Sequence, residues 1–114
     1  MIGNKERELI DQIISKTQDR LITWEPTAEI DEFLTTFKGQ VSFLCRRYTN
    51  EYGNAEFTVS VKDQENRELL TANTQDLFAN DKQLLAKLYE VAHHSALKYD
   101  ETLNSLLEDL KKAG

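Results

Sequence analysis

Hydrophobic residues recur along this chain with two different periods. Between about residues 5 and 20, Leu9, Ile10, Ile13, Ile14 and Thr17 stand at helical spacing. That spacing predicts an amphipathic helix with one largely apolar face. Asn4 occupies a natural N-cap position, Glu6 and Glu8 suit the positive end of the helix dipole, and Lys16 and Arg20 suit the negative end. Thr23-Trp24-Glu25-Pro26-Thr27 follows. Proline drives the residue before it towards extended backbone, so this stretch reads as a strand end or a loop. Residues 28–38 fit both periods. Ile30, Phe33, Leu34 and Phe37 match a helix, while Phe33, Thr35 and Phe37 alternate within a run of strand formers. The composition of that run favours a strand at about 32–38, turning through Lys38-Gly39-Gln40 into the next.

A period of two then takes over. Over 41–48, Val41, Phe43 and Cys45 oppose Ser42, Leu44, Arg46 and Tyr48; over 55–62, Phe57, Val59 and Val61 oppose Glu56, Thr58, Ser60 and Lys62. Asn50-Glu51-Tyr52-Gly53-Asn54 and Asp63-Gln64-Glu65-Asn66 supply turn chemistry. A weaker strand follows at 67–73. After Thr74 the period is helical again. Asn80 with Gln83 resembles a capping box ahead of Leu84, Leu85, Leu88, Tyr89, Val91, Ala92 and Ala96. Asp100 reads as the cap of a last helix carrying Leu103, Leu106, Leu107 and Leu110. The expected fold is α+β in a single domain, 1–114. It has an N-terminal helix, a three- to four-stranded antiparallel meander, and two C-terminal helices packed on one sheet face.

Charge narrows the range of functions. The chain carries 14 basic and 20 acidic side chains, a formal charge of −6. The excess is even: residues 1–57 and 58–114 each hold seven basic and ten acidic groups. Nucleic-acid binding needs clustered cations that displace counterions. Here the densest basic features are Arg46-Arg47 and Lys111-Lys112, which argues against nucleic acid as a partner. The charged N-terminus has no apolar run behind it, Ile2 stands where myristoylation needs glycine, and no stretch approaches a membrane span. One Cys makes no intrachain disulfide. A cytoplasmic location with no membrane partner is the expectation.

Trp24 after an amphipathic helix, a meander, then Leu88-Tyr89-Glu90-Val91-Ala92-His93-His94-Ser95-Ala96-Leu97 and a leucine-rich closing helix form a familiar order. It resembles a loose group of small uncharacterised bacterial α+β proteins. The resemblance implies a cytoplasmic bacterial domain of this class and transfers no catalytic or ligand residue.

Candidate chemistry is sparse. His93 and His94 are adjacent, so on a helix they point about 100° apart and cannot share a metal as an i, i+4 pair does. Cys45 lies on the face assigned to the core, where a thiol is inert. Arg46-Arg47 with Tyr48 and Tyr52 mixes basic and aromatic groups, but cross-strand pairing of Arg with the glutamate of the 55–62 strand is the ordinary reading. Asp63-Gln64-Glu65-Asn66 begins like a calcium loop and fails it, with Glu68 in place of glycine and Thr74 in place of the bidentate glutamate. Gly-rich phosphate loops, G-x-S-x-G, C-x-x-C and H-E-x-x-H are absent from the sequence. No catalytic residue, cofactor or metal ligand is therefore expected.

What remains is apolar surface. Leu44 and Tyr48 share the outer sheet face, joined, depending on register, by Phe33 and Phe37 or Leu34, and by Leu69 or Leu70. An uncovered apolar face predicts a protein partner or self-association. The leading expectation is a small non-catalytic interaction module, a homodimer or complex subunit with a regulatory role, contacting its partner through Leu44, Arg46, Tyr48 and Trp24. The alternative is a small-molecule binder or enzyme with its site between sheet and helices, using Trp24, Tyr89 or His93.

Overall fold

A computed structural model describes residues 2–113. The architecture is α+β: an N-terminal helix, a five-stranded antiparallel sheet and one C-terminal helix. Helix α1 spans Asn4–Gln18. Strands follow at Glu25–Pro26 (β1), Glu32–Phe37 (β2), Val41–Thr49 (β3), Ala55–Lys62 (β4) and Glu68–Asn73 (β5), then a short 3₁₀ turn at Thr74–Asp76 and helix α2 at Ala79–Ala113. The strands lie in sequence order as a meander.

The two strong alternating segments become β3 and β4, with Cys45 opposite Val59 and Phe43 opposite Val61. The ambiguous stretch becomes a strand from Glu32 to Phe37, pairing Phe33 with Cys45 and Thr35 with Phe43. Its hairpin turns tightly: Lys38 and Gly39 both take positive φ, 54° and 68°, and the Gln40 N–H donates to the Phe37 carbonyl at 3.1 Å. Positive φ at both central residues is the type I′ geometry that matches strand twist. Between β4 and β5 the register slips by one residue at Val61/Lys62.

Three sequence expectations change. The sheet gains a fifth strand, β1, two residues long and containing Pro26. A proline in a very short edge strand leaves little for a foreign strand to pair with. The two C-terminal helices are one helix of 35 residues. Asp100 sits within it as an exposed helical residue; a cap needs a break in the chain, and no Gly or Pro falls between 79 and 113. The caps also move. α1 begins at Asn4 with Gly3 as its N-cap, and α2 begins at Ala79, where the Phe78 carbonyl accepts from Lys82 N–H.

Helix α2 lies against the sheet and α1 packs against α2. The core joins Ile10, Ile13 and Ile14 of α1, Phe33, Phe43, Cys45, Val59, Val61 and Ala72 of the sheet, and Leu85, Leu88, Tyr89, Ala92 and Ala96 of α2. α1 runs alongside the first half of α2 in the same direction. At one end Arg7 donates to the Asp81 carboxylate at 2.9 Å. At the other, Trp24 N–H donates to Ser95 Oγ and Trp24 Nε1 to Thr17 Oγ1, each at 3.0 Å. α1 closes with Arg20 at φ 64°, the Leu21 N–H reaching Lys16 O and the Arg20 N–H reaching Thr17 O. This is the Schellman arrangement, here with arginine in the place glycine usually takes.

The body ends near Ala96, and α2 does not. A helix of 35 residues is about 52 Å long at 1.5 Å per residue. That accounts for the longest dimension of the molecule, 54 Å.

Candidate interaction surface

The projecting part of α2 is the feature the fold leaves unexplained. Every residue from Leu97 to Ala113 is exposed. Along it, Tyr99, Leu103, Leu106, Leu107 and Leu110 gather on one side. At 100° per residue that side is the continuation of Leu85, Leu88, Tyr89, Ala92 and Ala96, the stripe buried in the body. One apolar line thus runs the length of the helix, covered in its first half and bare in its second. Leu103 is 40% exposed, Leu106 53% and Leu110 62%. Lys98, Asp100, Asp109 and Lys111 flank the stripe.

The outer sheet face does not carry the apolar surface expected of it. Register assigns it Glu32, Leu34 and Thr36 from β2, Ser42, Leu44, Arg46 and Tyr48 from β3, Glu56, Thr58, Ser60 and Lys62 from β4, and Thr71 and Asn73 from β5. Phe33 and Leu70 fall on the helix-covered side, and Phe37, on that same side, lies half-exposed at the hairpin end. Leu34, Leu44 and Tyr48 remain, all half-buried among polar side chains, with Leu69 exposed at the irregularity in β5. The Tyr48 hydroxyl is taken up by Asn73, at 3.1 Å as donor and 2.9 Å as acceptor. Arg46 is exposed opposite Glu32 and Thr58, and Glu56 faces Tyr48. The expected Arg–Glu pair across β3 and β4 is therefore out of register. Glu56 accepts instead from Asn50 Nδ2 and the Thr74 hydroxyl.

Trp24 is wholly enclosed, 0% exposed, so it presents no surface to a partner. Its neighbours also fill the space between helices and sheet. Tyr89 packs on Phe33 and Phe57 with ring centroids 5.5 and 5.3 Å apart, and His93 stacks on Phe33 at 5.2 Å. Trp24 and Tyr89 are packed into the core, while His93 is exposed and borders the cleft between α1 and α2. Burial pushes the Cys45 thiol up to about 12, with the Glu32 carboxylate adding to the effect, far from the thiolate that nucleophilic chemistry needs. Burial, helped by the Asp31 carboxylate, also pushes the Tyr89 phenol up to about 12. Among the described residues, no group of three His, Cys, Asp or Glu side chains converges to hold a metal ion.

A concavity lies outside this core, between the end of α1 and the flank of α2. It is an open cleft of about 770 Å³ bordered by Arg20, Val91, Lys87, His94, Lys98 and Tyr99. Arg20, Lys87, His94 and Lys98 are all exposed and form no ion pair among the described residues. The cleft's rim mixes these groups with the Glu90 carboxylate, without the convergent buried polar groups that orient a small ligand. The polar turn after β4 is self-satisfied: Asp63 accepts from the N–H groups of Arg67 and Glu65, and the Arg67 N–H in particular holds its carboxyl below the usual range.

Compared with known proteins, the chain matches no family model, no curated protein and no solved structure. No helix among the described residues is long and apolar enough to cross a membrane.

Proposed function

We propose that the protein is a cytoplasmic, non-catalytic association module whose contact element is the arm formed by residues 97–113 of α2. The supporting observation is the unbroken apolar stripe that leaves the core at Ala96 and continues through Tyr99, Leu103, Leu106 and Leu110 with nothing lying against it. Burying one leucine contributes about 1.5–3 kcal/mol. Holding several of them in water on a helix that an isolated segment of this length would scarcely maintain is costly unless another surface covers them. The partner-binding role moves from the sheet face to the arm, because Leu44 and Tyr48 are half-buried on a largely polar face and Trp24 is enclosed.

The test is substitution in the full chain. Glutamate is a good helix former, so Leu103→Glu with Leu106→Glu leaves α2 helical and polarises the stripe. In tagged pull-downs from the native cell at low salt, with absolute mass from light scattering, we expect the double variant to lose its associations and Arg46→Glu on the sheet face to keep them. A double variant that associates as wild type does, or a wild type that associates with nothing, overturns the reading.

A further inference from the structure

We infer that the surface covering the arm is the same arm of a second copy, laid antiparallel, so that the protein is a two-fold dimer joined through residues 97–113. This rests on the association reading above and adds the occupant, its direction and its register. Ala96, Tyr99, Leu103, Leu106, Leu110 and Ala113 follow one another at intervals of three and four residues, the spacing of a coiled-coil seam. Because α2 is unbroken, these six side chains stay on one line.

The seam is complementary to its own reverse. A two-fold axis midway between Leu103 and Leu106 sets Leu103 against the partner's Leu106 and Tyr99 against the partner's Leu110. The same two pairs repeat on the other side of the axis. Ala96 is buried in its own body, so the seam closes where the partner's Ala113 reaches that body. Large residues meet large ones throughout, so the two helices can keep a uniform separation of about 8–10 Å. An isologous contact of this kind closes on itself and does not propagate.

The flanking charges fit a second copy, and the bodies select the direction. Lys98 and Asp109 lie on one flank of the stripe, Asp100 and Lys111 on the other. In an antiparallel pair each flank meets the same flank of the other helix. The register fixed by the leucines then brings Asp109 to the partner's Lys98 and Asp100 to the partner's Lys111. With symmetry that makes four contacts of opposite sign, and Lys98 makes no ion pair among the described residues of its own chain. Parallel pairing in register also opposes unlike charges, Asp109 with the partner's Lys111 and Asp100 with the partner's Lys98, but it crowds both bodies at one end. Antiparallel arms of about 25 Å carry them to opposite ends.

The experiment is sedimentation and light scattering of the full chain from low to high micromolar concentration, with charge reversal. Asp109→Lys turns two attractive flank contacts into two repulsive ones and should weaken dimerisation about tenfold. Adding Lys98→Asp should restore it, since in a homodimer both sides of each pair are exchanged together. Direction is read by cross-linking: Tyr99→Cys mixed with Leu110→Cys should give an oxidised heterodimer, and Leu110→Cys alone should not cross-link to itself. A wild type monomeric at every concentration, a charge swap that fails to rescue, or homotypic 110–110 cross-links overturns the proposal. A monomer that nevertheless loses a captured protein on Leu103→Glu with Leu106→Glu sinks the dimer alone. If that variant associates unchanged, the association reading fails with it.

Discussion

The Thr17 hydroxyl carries two buried hydrogen bonds. It donates to the Ile13 carbonyl at 2.7 Å and accepts from the Trp24 indole N–H at 3.0 Å. Valine has nearly the same shape and no oxygen. Thr17→Val therefore leaves the indole N–H buried without an acceptor, a loss of about 1–3 kcal/mol. Thr17→Ser keeps the oxygen and removes one methyl, a loss of about 1 kcal/mol. Trp24 is the only tryptophan, so its fluorescence in a urea titration reads both. We expect the valine variant to be the less stable of the two; equal losses would show that this hydrogen bond contributes nothing net. Trp24 thus ties the end of α1 to the middle of α2 and positions the point where the arm leaves the body.

Elements were legible in the sequence where local pattern determines them. The alternation of Val41, Phe43 and Cys45, and of Phe57, Val59 and Val61, is imposed by one covered sheet face, and both strands form close to the residues it indicated. β1 was legible only as a strand end or a loop. Two residues hold no period, and Glu25–Pro26 is extended through pairing with β2. The C-terminal stripe was legible, but its continuity was not, because Asp100 suits a cap and also suits an exposed helix position. Nor does periodicity reveal what lies against an apolar face. Leu103 and Leu110 read like core leucines, and only the position of the body shows that they are bare. This difference predicts the exchange behaviour of α2. Amides of 85–96, held by the core, should exchange far more slowly than those of 98–113. Protection of 98–113 should rise with protein concentration while that of 85–96 stays fixed, measured by hydrogen–deuterium exchange at two concentrations. Equal protection along the whole helix in dilute protein would mean that the arm is stable without a partner.

At the scale of the whole molecule, stability should have an alkaline limit set from inside the core. The chain already carries a charge of −6 at neutral pH, and raising the pH adds to its self-repulsion. A specific contribution comes from Cys45, enclosed between Phe33 of β2 and Val59 of β4. Its thiol, pushed from about 9 up to about 12 by burial, is protonated in folded and unfolded chains alike below about pH 9. There it makes no difference to stability. Between 9 and 12 the unfolded chain loses this proton and the folded chain keeps it. The unfolded state then binds fewer protons, so stability falls as pH rises, by about 1.4 kcal/mol per unit and about 4 kcal/mol over the whole window. Cys45→Ala leaves a small cavity and lowers stability at every pH, but it removes the titrating group. Urea midpoints measured at intervals from pH 8 to 11 should therefore fall more steeply for wild type than for the alanine variant. Parallel slopes would assign the alkaline loss to the surface charge and to the Tyr89 phenol, which burial also pushes up, and not to the buried thiol.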